Sequence, residues 1–149
     1  MKFLLTRELG RLNKWLRILG FDTLYTKQMN LSSIFIQALK EDRIILTRNH
    51  RICGWHGQPV VKIEADELRA QIKEIIQKLN INIDPKRMFT RCLICNLGLV
   101  AVSKEELKDR VPEYVFLTQD KFVTCPGCGR VFWQGTHWGN VNKILEEIV

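Results

Sequence analysis

Two short cysteine motifs carry the plainest chemistry in this sequence. Cys92-Leu-Ile-Cys95 and Cys125-Pro-Gly-Cys128 are separated by 29 residues. A CxxC turn points two thiolates at one centre, and two such turns supply the four ligands of a tetrahedral metal site. Pro126, Gly127 and Gly129 suit a turn whose backbone N–H groups also face the sulfurs. Four thiolates close the coordination shell and leave no position for water, so the expected role of the metal is structural. Spacing alone does not separate zinc from iron; zinc is the expectation for a ribbon of this kind. A pair of redox sites would instead place each CxxC at a helix start after a strand, and neither pair fits that context. The remaining cysteine, Cys53, reads as a small buried apolar residue.

A second stretch poses a different question. Residues 43–50 read RIILTRNH, a short apolar run that delivers Thr47, Arg48 and Asn49 to its end. Such a run reads as a buried strand of a parallel sheet, and parallel sheets place their sites at the carboxyl ends of strands. A metal-dependent phosphodiesterase needs hard anionic oxygens at that edge. Here the sequence supplies an amide, Asn49.

The elements that must position these residues follow from periodicity. Residues 2–5 and 21–26 read as strands. Residues 7–19 read as a helix with Leu9, Leu12, Trp15, Leu16 and Leu19 on one side and Arg7, Arg11, Lys14 and Arg17 on the other. Gly20 ends that helix. Residues 31–41 form a second helix with Ile34, Phe35, Ala38 and Leu39 inward, and residues 43–47 and 59–63 form two more strands. A third helix over 65–79 carries Asp66 and Glu67 in its first turn, where acids favour the helix dipole. The order β-α-β-α-β-β-α predicts a small layered α/β domain with a mostly parallel sheet. NINIDPKR at 80–87 is polar, without periodicity, and contains a proline. The boundary is therefore placed there, giving an α/β domain over 1–84 and a zinc-ribbon domain over 85–149. Between the two CxxC pairs a hairpin-like excursion is expected, and residues 130–133 read as the strand after the second pair.

Composition narrows the function classes. The apolar fraction of 46% fits a folded chain and argues against global disorder. No apolar run approaches the ~20 residues of a membrane span, and Arg7 and Glu8 come too early for a signal peptide. A cytoplasmic protein is expected, and Met1 fits a complete chain. Five cysteines in such a chain argue against a disulfide framework. The net charge of +7 permits an anionic partner, most simply nucleic acid. Residues 1–51 hold ten Lys/Arg against four Asp/Glu, so nearly all the excess lies in the first third.

Several segments, taken in order, carry a resemblance. KFLLTRELGRLNKWLRILGFDT, RIILTRN, RCLICN, VPEYV and FVTCPGCGRVFWQGTHW are together similar to a family of PIN-like ribonuclease domains, also found at the C-terminal end of the animal exonuclease called mut-seven. The resemblance spans roughly residues 2–138. It implies a PIN-type α/β nuclease fold joined to a zinc ribbon, and cleavage of RNA with a bound divalent metal, Mg²⁺ or Mn²⁺. The family's first metal-binding acid falls on Thr6, the second on Asn30 or Leu31, and the third on Asn49. Asp22, in GFDT, matches the family, but it opens the second strand, where a structural role is also expected. Glu8 lies two residues after Thr6 and is a candidate to substitute for it, although an acid in the first helical turn is expected for dipole reasons alone.

Neutral oxygens at these positions bind Mg²⁺ poorly. The resulting reading is a catalytically impaired, nuclease-derived RNA-binding module with a structural zinc. Arg7, Arg11, Lys14 and Arg17, with Arg48 and Arg51 at the strand edge, are the candidate phosphate contacts. Trp133, His137 and Trp138 offer stacking surfaces, although Trp133 is more readily explained by packing. His137 reads as a ligand contact or a turn cap before it reads as a metal ligand. Two alternatives stand beside this reading: an active divalent-metal-dependent ribonuclease with an altered acidic site, and a protein-binding scaffold whose ribbon docks a partner.

Overall fold

Four short strands of β-branched and leucine-rich sequence, separated by amphipathic helices, assemble into one parallel sheet. The computed structural model describes the chain from Met1 to Val149 except residues 53, 55, 56 and 136 and the side chain of residue 137. The expectations for Cys53 and for the His137 side chain therefore lie outside the described residues. The chain divides into a first unit of residues 1–96 with Ile148 and a second of residues 97–147 with Val149.

In the first unit the strands are β1 (Lys2–Leu5), β2 (Asp22–Tyr25), β3 (Ile44–Thr47) and β4 (Val60–Lys62). Their order in the sheet is β2-β1-β3-β4, and every neighbouring pair is parallel. Helix α1 (Gly10–Ile18) connects β1 to β2, α2 (Leu31–Glu41) connects β2 to β3, and α3 (Leu68–Lys78) follows β4. Strand side chains alternate between the two sheet faces. Leu4 and Ile45 accordingly join Ile34, Phe35 and Ala38 of α2 in one buried cluster. Phe3, Leu5 and Leu46 are buried, as are Leu12 and Leu16 of α1 and Ile72 and Ile75 of α3. Full burial of each such side chain contributes about 1.5–3 kcal/mol.

The helix expected over 7–19 is split. Residues Arg7–Leu9 make a 3₁₀ turn and the α-helix begins at Gly10. Gly20 ends it in the left-handed region at φ +88°, with its N–H on the Arg17 carbonyl. Leu39, expected inward, is 63% exposed, because the buried stripe of α2 runs through Ile34, Phe35 and Ala38. Glu67 is the N-cap of α3, so Asp66 and Glu67 precede its first turn and do not lie within it.

Residues 85–96 pack in the first unit. The Phe89 N–H donates to the Ile18 carbonyl at 2.8 Å, and the Arg87 guanidinium lies over the Phe21 ring. In the second unit β5 (Val100–Val102), β6 (Phe122–Thr124) and β7 (Val131–Trp133) form an antiparallel sheet in sequence order. The excursion between β5 and β6 is not a simple hairpin: it contains helix α4 (Glu113–Thr118). A core cluster of this unit is formed by Leu107, Val111 and Phe122, with Val102, Val115, Phe116, Val131 and Trp133 packed against it. Helix α5 (His137–Ile148) follows β7.

Candidate metal centre and the carboxyl edge of the parallel sheet

Each cysteine pair forms its turn from local hydrogen bonds. In the first, the Cys95 N–H faces the Cys92 sulfur at 3.4 Å and the Asn96 N–H donates to the Cys92 carbonyl at 2.9 Å. Asn96 closes the turn at φ +65°, a left-handed conformation that asparagine tolerates. In the second, the Gly127 N–H faces the Cys125 sulfur at 3.4 Å, and Gly129, at φ +72°, donates to the Cys125 carbonyl. Strands β6 and β7 flank this turn.

The sulfurs of Cys92, Cys95, Cys125 and Cys128 all lie within 4.8 Å of one another. A tetrahedral centre with metal–sulfur bonds of about 2.3 Å needs sulfurs about 3.8 Å apart. Four thiolates at this separation fit a structural metal such as zinc, as their spacing predicted.

The first turn is also tied to strand β2. Arg17, expected on an exposed basic face, is 6% exposed. Its Nη1 donates to the carbonyls of Leu93 and Ile94 at 2.7 and 2.9 Å, and its Nε and Nη2 both donate to the Thr23 carbonyl. This side chain therefore faces protein, and the exposed basic residues of α1 are Arg11 and Lys14, with Arg7 just before it. Burial lowers the Arg17 pKa from its ordinary value, while the charges of Cys92 and Cys95 oppose that shift. Asn96 completes the tie: its Oδ1 accepts from the Thr23 N–H and its Nδ2 donates to Asp22.

The other candidate site lies at the opposite end of the strands. A sheet ordered β2-β1-β3-β4 reverses its winding between β1 and β3, and ligands bind such sheets outside the carboxyl ends at that point. Thr6 directly follows β1 and Thr47 ends β3, and both are buried. Thr6 Oγ1 donates to Glu8 Oε1 at 2.5 Å, Thr47 Oγ1 donates to the same oxygen at 3.0 Å, and the Arg48 N–H donates to it at 2.8 Å. Burial raises the Glu8 pKa, but these hydrogen bonds outweigh it and hold the carboxyl below its ordinary value. Glu8 thus occupies the switch point, positioned by the 3₁₀ turn after β1.

The remaining expected positions are engaged locally. Asn30 is the N-cap of α2, its side-chain oxygen accepting from the Ser33 N–H, and Leu31 is the first residue of that helix. The Asn49 side-chain oxygen accepts from the Arg51 N–H in a short turn. Asp22 lies elsewhere: it opens β2 at the amino edge, opposite Lys2, and accepts from Arg43 at 2.7 Å and from Asn96 at 2.8 Å. Burial raises its pKa, and the bonds from Arg43 and Asn96 more than reverse that. Thr6 and Glu8 therefore come together with Thr47, whereas Asp22 stands at the far edge.

Two acids that sequence reading did not assign to this edge come just after β4. Asp66 forms an ion pair with Arg48, and Glu64 faces His50 at 3.9 Å. Their signal in the sequence is position: both lie beyond the end of the fourth parallel strand, as Glu8 lies beyond the first. Among the described residues, no three acids of this edge bring their ligand atoms together. Arg51 is exposed, and Trp133 packs edge-on against Phe122 in the second unit.

No curated protein and no solved structure matches this chain. The family model described as the Mut7-C RNAse domain matches residues 1–145, nearly the full length, which includes both the parallel sheet and the four cysteines. The chain belongs to the Mut7-C RNAse domain family.

Proposed function

We propose that this chain is an RNA-associated module derived from a ribonuclease, which holds RNA through basic residues of its α/β unit and cleaves it weakly or not at all. One observation carries this reading. The residues at the expected acid positions, Thr6, Asn30 or Leu31, and Asn49, are neutral, and the side-chain oxygens among them engage protein groups: Thr6 with Glu8, Asn30 with the Ser33 N–H, Asn49 with the Arg51 N–H. A divalent ion of the Mg²⁺ type needs anionic oxygens in near-octahedral array, and this donor set does not fit it. Arg7, Arg11, Lys14 and Arg51 are exposed, where phosphates can reach them. Arg48 is engaged with Asp66, so RNA must compete for it. Zinc is the proposed occupant of the four-cysteine centre, where it holds the ribbon together.

The second reading, an active nuclease with an altered site, rests on Glu8. A carboxylate held by three donors at the switch point is where a catalytic acid would stand.

Binding of a single-stranded RNA, followed by fluorescence anisotropy across a salt series, tests the proposal. Affinity should fall steeply with salt. Arg11→Glu with Lys14→Glu should weaken it and reduce the salt slope by about 0.7 for each phosphate no longer neutralised. Salt-independent binding, or binding indifferent to both reversals, sinks the basic-surface model. Robust cleavage with Mg²⁺ or Mn²⁺ that vanishes in Glu8→Gln establishes the second reading instead.

A further inference from the structure

The Arg17 guanidinium is buried and donates both to strand β2 and to the first cysteine turn. Leu93 and Ile94, whose carbonyls it binds, are the two residues between Cys92 and Cys95. Its other donors close on the Thr23 carbonyl. We propose that Arg17 is a positioning residue of the metal centre, which fixes the Cys92–Cys95 turn by its carbonyls and sets a buried positive charge beside its two thiolates.

Two physical effects support this role. A tetrathiolate centre around a divalent cation carries a net charge of about −2, and burying that charge is costly without a compensating partner. Arg17 supplies one from within the first unit, where Cys92 is fully buried. Second, a planar guanidinium fixes two acceptors in one geometry, which a lysine ammonium cannot do. The second turn has a lesser counterpart: Arg110 donates to the Gly129 carbonyl at 2.8 Å, but it is exposed. The arrangement also explains why a basic residue stands on the buried side of α1. The hydrogen bonds of Asn96 to Asp22 and Thr23 fix the same turn without adding charge, which supplies a control.

The role of Arg17 rests on the reading that the four cysteines bind a metal. The test is Co²⁺ titration of the full chain, read by the thiolate-to-cobalt absorption band and by competition with Zn²⁺, with circular dichroism as a check on folding. Wild type should bind about one ion per chain. Arg17→Met should weaken binding by about 10- to 100-fold, the usual effect of removing a group that supports metal ligands, and should shift the absorption band. Arg17→Lys, which keeps the charge and loses the fork, should fall between the two. Asn96→Ala should loosen the turn with a smaller band shift than Arg17→Met. If Arg17→Met does not fold, Arg17→Lys decides alone, and wild-type affinity with an unshifted band overturns the role of Arg17. Wild-type affinity and spectrum in Arg17→Met overturn it equally. No cobalt uptake by wild type overturns the metal reading and the role of Arg17 together.

Discussion

Thr6 Oγ1 and Glu8 Oε1 are 2.5 Å apart, so the threonine that stands where the resemblance leads one to expect an acid is itself hydrogen-bonded to an acid two residues on. Thr6 directly follows β1 and is buried, and the 3₁₀ turn after it returns the glutamate side chain to the same strand edge. The carboxylate is present at the switch point, but it arrives from a helical turn and not from the strand.

That relationship makes Glu8 a source of pH-dependent stability. Its folded pKa lies below the ordinary value of 4.5. The stabilisation is therefore fully present above the unfolded value and is lost as pH falls through the folded one. Thermal melts across pH should show wild type more stable than Glu8→Gln at neutral pH, with the difference shrinking in acid. An unchanging difference down to strongly acidic pH would refute the network.

Asp22 should behave as a structural residue. Its partner Arg43 is 5% exposed, and a second carboxylate, Glu41, contacts the same guanidinium at 2.7 Å. Asp22→Asn should cost about 1–3 kcal/mol in chemical denaturation, less than a fully buried pair because Glu41 remains and Asp22 is partly exposed. RNA binding should be unaffected. Loss of RNA cleavage in this variant, measured beside an active wild type, would contradict its placement at the far edge.

Gly20 should tolerate no side chain. A Cβ there would collide with the Arg87 carbonyl oxygen, and the backbone φ of +88° is left-handed. Strain and crowding together predict that Gly20→Ala costs about 2–4 kcal/mol. Equal stability of the two proteins would show that the chain around Arg87 can move aside.

The metal should support the second unit, which supplies Cys125 and Cys128. Among its described residues, Leu107, Val111 and Phe122 form a buried cluster with Val102, Val115, Phe116, Val131 and Trp133 packed against it, a core of modest size that profits from a metal staple. Elemental analysis should give about one zinc per chain in wild type. Cys125→Ser should lose it, with collapse of chemical-shift dispersion in residues 97–147. A metal-free protein with an intact second unit would refute a structural role.

Much of this was legible from local pattern. The four cysteines declare their chemistry by type and spacing, and β1, α1, β2, α2 and β3 follow from periodicity, because side-chain burial repeats at the period of the element. The glycine after α1 was equally readable. The sequence did not separate an outward arginine from an inward one: Arg11 and Arg17 are alike in composition and spacing, yet Arg17 is buried. Its fate depends on Leu93 and Ile94, more than seventy residues away, whose carbonyls need a donor.

The same distinction governs the sheet edge. Sequence alone showed that the expected acid positions, Thr6, Asn30 or Leu31, and Asn49, hold no acid, since residue identity needs no fold. Tertiary structure decided what those residues do. It brought Thr47 and the Arg48 N–H, from a strand some forty residues away, onto the carboxylate of Glu8, and it left Asp22 at the other end of the strands. Hydrogen bonds between distant segments depend on strand order and register, and neither is written in the local pattern of a single segment.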